Sequence, residues 1–294
     1  MKATVWRWTR LTVGAAILAL LVARLGSAPV TEGLAATSPA ALAFAVVVTA
    51  ATTWCCALRW SLVTHNLGAP MSATAAYAAY YRSQFLNAAL PGGIVGDVHR
   101  GARHGFRGVV WERALGQLVQ VGLTLGLLML LPSPFRSAAA AGTVVAAAVL
   151  VVVLVVGRGH LRAVLARDLW SRLTVLSAVA VAGHLTVFVV AARTAGLTLP
   201  VTELLPLGAL VLLASAVPTN VAGWGPREGV AAWTFAVAGL GADLGLTVAV
   251  VYGVMSLVAT LPGVVVLVAG RRRRAGPGPN VAHVGKRLQG ALHG

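Results

Sequence analysis

The sequence predicts an all-α polytopic membrane protein. It is expected to have about six spanning helices plus two oppositely oriented re-entrant hairpins, eight hydrophobic segments arranged as an inverted pseudo-repeat. Three observations carry this. Of 294 residues, 58% are hydrophobic and 10% are charged, whereas a soluble domain carries about 25% charged residues. The apolar residues form long Ala/Val/Leu runs, which select helices over barrel strands. Two runs are broken mid-course by Pro and Gly and then resume with charge: Leu90-Pro91-Gly92-Gly93-Ile94-Val95-Gly96-Asp97, and Val217-Pro218 through Gly225-Pro226-Arg227-Glu228.

In chain order, Lys2, Arg7 and Arg10 precede an apolar run at 11–23, read as an uncleaved first span rather than a signal peptide. Residues 25–38 are rich in Gly, Pro, Ser and Thr, with one acid, Glu32. The second span, 40–58, closes with Arg59 and His65. Cys55 and Cys56 are adjacent and apolar in context, so no disulfide framework is expected. The first broken element, 72–90, carries Tyr77, Tyr80, Tyr81, Gln84 and Asn87 on one helical face. Such a stripe faces protein or a water-filled cavity, not lipid. Arg82 projects about 140° from Tyr77, off that stripe, at ~100° per residue. Further spans are expected at 115–131, 138–156, 175–192 and 245–269, with His184 inside the third of these as a packing residue rather than a proton relay. The second broken element has apolar halves at 204–217 and 230–240. Each is shorter than the ~20 residues a crossing needs, so a re-entrant hairpin is expected there. Residues 1–270 form a single integral membrane domain; 271–294, opening with Arg271 to Arg274, form a basic tail expected to be disordered.

The two breaks align. With Pro91 on Pro218, Ile94 falls on Val221, Gly96 on Gly223 and Arg100 on Arg227. Paired Pro/Gly-interrupted segments in corresponding halves are the sequence pointer to a transporter-type site. The net charge of +16 does not point to nucleic acid, because the bases cluster at the ends of apolar runs. With each hairpin returning to its own side, 18 of the 23 Lys/Arg share one face. The positive-inside rule makes that face cytoplasmic, with both termini there, in the cell (inner or plasma) membrane.

A lipid phosphate crossing a low-dielectric slab needs compensating charge. Arg supplies a bidentate fork for phosphate oxygens, and broken helices supply free N–H groups. The candidate substrate-binding residues are Arg100 and Arg227 as headgroup ligands, with Arg82, Gln84 and Asn87 from the first broken helix. Gly92, Gly93, Gly96, Gly223 and Gly225 let backbone approach a ligand. Asp97 and Glu228 either keep the empty site neutral or pair with the arginines only to hold the hairpins together. The spacing of Asp97, His99 and His104 fits no standard metal site. No catalytic residue, metal or cofactor is expected.

Arg82, Phe85-Leu86-Asn87, Leu90-Pro91-Gly92-Gly93, Gly96-Asp97 and Arg100 resemble the first conserved block of the lysylphosphatidylglycerol synthase/flippase transmembrane-region family. Pro218, Gly223-Trp224-Gly225 and Arg227-Glu228-Gly229 resemble its second block. The resemblance implies a polytopic fold with two re-entrant elements and movement of an anionic phospholipid or a polyprenyl-phosphate-linked lipid between leaflets. Thr219-Asn220 departs from the small or Gly-rich pair common in the family's second turn. No soluble synthase domain is expected after the last span, so synthase activity is not carried over. The alternatives are a membrane enzyme acting on a lipid phosphate, or a non-catalytic partner of a lipid-modifying or glycosyltransferase enzyme.

Overall fold

The structure, a computed structural model, describes residues 20, 23–90, 93–137, 139, 167–216 and 224–275. The expected spans at 11–23 and 138–156 and the tail at 271–294 lie largely outside the described residues, and Gly92 and Gly223 lie outside them; residues 271–275, expected to be disordered, continue the last described helix instead. The described elements are α1 (Ala28–Ala36), α2 (Pro39–Asn66), α3 (Ala73–Ala89), α4 (Val95–His104), α5 (Phe106–Leu130), α6 (Arg167–Thr194), α7 (Val201–Ser215), α8 (Pro226–Val237), α9 (Ala242–Thr260) and α10 (Pro262–Ala275).

Among the described residues, four stretches are long and apolar enough to cross a membrane: Pro39–Asn66, Phe106–Leu130, Leu169–Thr194 and Ala242–Val268. They overlap four of the expected spans but run beyond them, by eight residues at Asn66 against 58 and by nine at Phe106 against 115, so helix takes in basic stretches that the sequence places outside the spans. Helices satisfy their own backbone, which a hydrocarbon environment requires. Starts and stops follow local chemistry. The Ser38 hydroxyl accepts the Ala41 N–H at 3.2 Å ahead of Pro39, and the Ser72 hydroxyl accepts the Ala75 N–H at 3.3 Å. Pro262 lacks a backbone donor and separates α9 from α10 within one apolar run.

The stretch 25–38, which composition alone gives no reason to call helical, contains α1. Its helix is made by packing: it lies against α9, where a Cβ added at Gly33 would come within 2.8 Å of Val250. The main core joins α2, α6, α7, α8 and α9 through Phe188, Leu204, Phe235, Val251 and Met255, all essentially inaccessible. Small residues let the helices close up, as at Gly183 against Thr52 between α6 and α2. Apolar side chains also point outward, with Leu130 82%, Val265 70% and Val47 68% exposed. On candidate spans these form lipid-facing surface.

Both broken elements appear as helix–break–helix units. Helix α3 packs on α4, and α7 packs on α8. None of the four exceeds 17 residues. Helix α7 also contacts α5 and α6, which carries the end of the second unit's first helix toward the first unit.

Candidate functional site

The polar stripe of α3 faces protein. The Tyr77 hydroxyl donates to the Ala50 carbonyl at 3.3 Å, and the Thr53 hydroxyl donates to Gln84 Oε1 at 2.8 Å. Tyr80 and Tyr81 are buried. Asn87 spans the break: its Oδ1 accepts the Gly96 N–H at 2.7 Å and its Nδ2 donates to Asp97 Oδ2 at 3.1 Å. The first turn depends on Gly93, at φ +63°. Gly96 answers a helix crossing rather than a ligand, because a Cβ there would sit 2.0 Å from the Ser83 carbonyl oxygen.

Around this turn lies a buried charge network that ties together five helices. Glu112 of α5 is fully buried and accepts from Arg59 of α2, through Nη2 and through Nε at 3.2 Å. It also accepts from the Tyr80 hydroxyl at 3.1 Å and from Arg100 Nη2 at 3.0 Å. Arg59 Nη1 reaches Ser177 of α6 at 2.8 Å. Asp97 accepts from Arg100 at 3.0 Å and from Arg113 at 2.7 Å. Three guanidiniums therefore face two carboxylates, and the network carries one net positive charge. Burying unpaired charge in this setting is costly, so the pairing is what makes the burial tolerable.

Arg100 is 0% exposed and its guanidinium is stacked between Trp60 and Tyr80, at 4.5 and 4.3 Å. A desolvated cation over aromatic faces gains about 2 kcal/mol, which offsets the lack of hydrogen-bond partners for its Nε and Nη1. Arg82 is half-buried and lies near His104, which meets the Trp60 ring edge-on at 5.5 Å. Burial first, then the charges of Arg82, Arg103 and Arg100, hold the His104 imidazole below its ordinary range.

The second broken element builds a cage of the same kind. Arg227 is 7% exposed, lies 5.4 Å from Trp224 and 5.5 Å from Tyr252, and donates through Nε to Glu228 Oε1 at 2.8 Å. Glu228 is fully buried and accepts the Gly225 N–H at 2.6 Å, the carboxylate half of a capping box at the start of α8. Gly225 is at φ +129°. The two arginines that align in sequence, Arg100 and Arg227, thus each meet one Trp, one Tyr and a buried Glu. Glu112, Trp60 and Tyr252 were not on the sequence's candidate set. The available signal was Glu112 itself, one of only seven acids in the chain, set at the head of an apolar run.

Between the two units lies a cavity of about 420 Å³. Its wall includes Gly93 and Asp97 from the first break, Arg113 and Gln117 from α5, and Ser215 and Ala216 from the end of α7. The remaining described lining is apolar, from Ile94, Val98, Phe106, Val109 and Val110. Arg100 and Arg227 do not line it among the described residues.

Fold and site together define a multi-pass membrane protein built on two Pro/Gly-broken helical units. The family model for the lysylphosphatidylglycerol synthase TM region matches residues 7–263, and the chain belongs to that family. No curated protein and no solved structure matches the chain.

Proposed function

We propose that this protein is a transporter that moves an anionic lipid, a phospholipid or a polyprenyl-phosphate-linked lipid, between the leaflets of the cell membrane. The observation that carries this reading is the cavity shared by the two broken units, with an Arg–Asp pair on a largely apolar wall. Such a wall suits a ligand with one charged end and an apolar body. Membership of a lipid-related membrane family supports it. In this reading the two units are re-entrant from opposite sides and there are six spans. Both termini are cytoplasmic, and the cavity serves as the midplane site of alternating access. Arg100, Arg227, Asp97 and Glu228 keep the units assembled; Gln84, Asn87 and the turn glycines shape the path.

The test is reconstitution of the purified full chain into vesicles with a fluorescent anionic phospholipid in one leaflet. Accelerated loss of leaflet asymmetry, with the lipid chemically unchanged, is expected. A covalently altered lipid would favour an enzyme, and no movement beyond that of empty vesicles would refute transport.

A further inference from the structure

We infer that Arg113 is the residue that meets the anionic headgroup, and that Asp97 is a fixed counter-ion closed to any cation on the ligand. This deepens the reading of the cavity as a lipid site and rests on it. A carboxylate offers about four lone-pair sites. All four at Asp97 are taken: Oδ1 by the Ser83 hydroxyl at 3.1 Å and Arg100 Nη2 at 3.0 Å, Oδ2 by Asn87 Nδ2 at 3.1 Å and Arg113 Nη2 at 2.7 Å. The acid on the cavity wall therefore has nothing left for a ligand ammonium.

Arg113 is in the opposite condition. A guanidinium has five N–H donors, and among the described residues Arg113 uses one of them, on Asp97. Its Nε is buried without a partner. Its side chain is 40% exposed, against 0% for Arg100 and 9% for Arg227. Gln117 follows four residues later on the same helical face and lines the same cavity, a neutral donor beside the charged one. Val98, Phe106 and Val110, each about half exposed or more, rim the opening and suit the apolar body of a lipid rather than a free phosphate. A wall with a cation that keeps unused donors and an anion that is saturated selects a phosphate with no positive partner. The ligand class is an anionic phosphate lipid in preference to a zwitterionic one.

The experiment titrates purified full-length protein in detergent with tagged phosphatidic acid or equally tagged phosphatidylcholine. Wild type is expected to bind phosphatidic acid more tightly. Arg113→Gln should weaken phosphatidic acid at least about tenfold, the loss of one charge-assisted bond, and Arg113→Lys by less. Arg107→Gln, exposed on the same basic stretch but absent from the cavity wall, should bind as wild type. Should Arg113→Gln not fold, Gln117→Leu decides by weakening phosphatidic acid severalfold. Phosphatidic acid binding by Arg113→Gln within twofold of wild type, or equal binding of the two lipids by wild type, overturns the inference while the transport reading survives. Displacement of phosphatidic acid by equimolar inorganic phosphate overturns the lipid assignment in favour of a free phosphate. Wild type that binds neither lipid overturns the cavity reading itself.

Discussion

Glu112→Gln is the sharpest perturbation of the buried network. The change keeps shape and removes one charge. Glu112 is the shared acceptor of Arg59, Arg100 and Tyr80, and it is inaccessible. Among the described residues, removing it takes the network from one net positive charge to two, with Asp97 as the remaining carboxylate. Breaking a buried pair by deleting one partner costs about 3–5 kcal/mol. At roughly 2–4 °C per kcal/mol, the midpoint should fall by something on the order of 10 °C. Thermal unfolding of the detergent-purified protein, followed by tryptophan fluorescence, reads this directly. Adding Arg59→Met to Glu112→Gln removes one stranded cation, so the double variant should be more stable than the sum of the singles by about 0.5–3 kcal/mol. A Glu112→Gln midpoint within 1 °C of wild type, or strict additivity in the cycle, would refute the idea that this network holds the five helices together.

Gly96→Val should destabilise the protein by about 3 kcal/mol or more, because its new side chain meets the Ser83 backbone. Gly126→Val, with nothing within 4 Å of the added Cβ, should be near neutral, and equal melting of the two would remove Gly96 from the helix crossing. Arg227→Gln or Glu228→Gln alone strands a buried charge, whereas the double change should recover much of the loss; a double variant as unstable as the sum of the singles would mean the pair is not coupled. Cysteines placed within 158–172 and beyond residue 274 should label from the cytoplasmic side and one at residue 242 from outside, and cytoplasmic labelling of 242 would sink the re-entrant topology. Burial and the neighbouring arginines lower the His104 pKa in the folded chain, so its contribution to stability is full above the unfolded pKa of about 6.5. It should fall as the unfolded chain takes up the proton below that pH. A His104→Gln variant with the same acid slope as wild type would show that this group contributes nothing.

How much of this is legible in sequence depends on the range of the interaction. Span positions were readable because long apolar runs are a local property, and the four spans among the described residues lie where hydropathy puts them. The end of α3 at Ala89 and of α7 at Ser215, and the restarts at Val95 and Pro226, were readable for the same reason. The stripe on α3 was readable as a face, but its partners were not: nothing near Gln84 in sequence names Thr53. Arg59 looked like a charge closing a span at the interface, yet it is buried against Glu112, 53 residues away. Helix α1 was missed because its stability comes from contact with α9, not from its own composition. In the sequence Arg113 is a base just ahead of the apolar run at 115–131. Helix α5 starts at Phe106, so Arg113 sits within a candidate spanning helix and lines a cavity.

The two arginine cages are alike in chemistry and unlike in balance. Around Arg227 one guanidinium meets one carboxylate, and that carboxylate also closes the first turn of α8, so this cage is neutral and self-contained. Around Arg100, among the described residues, three guanidiniums meet two carboxylates, leaving one surplus positive charge, and Arg113, the most exposed of the three, sits at the edge of the network. A symmetric pair of neutral cages would hold two broken helices in place but attract no anion. A single exposed cation without the caged pairs behind it would be free to relax or snorkel. With Asp97 anchored by four donors, the surplus charge is instead held at a fixed point on a largely apolar wall. Preorganised charge of this kind favours an anion without the cost of reorganising on its arrival. On the proposed reading, departure from symmetry, more than the repeat itself, is what would direct a negatively charged headgroup to the first unit.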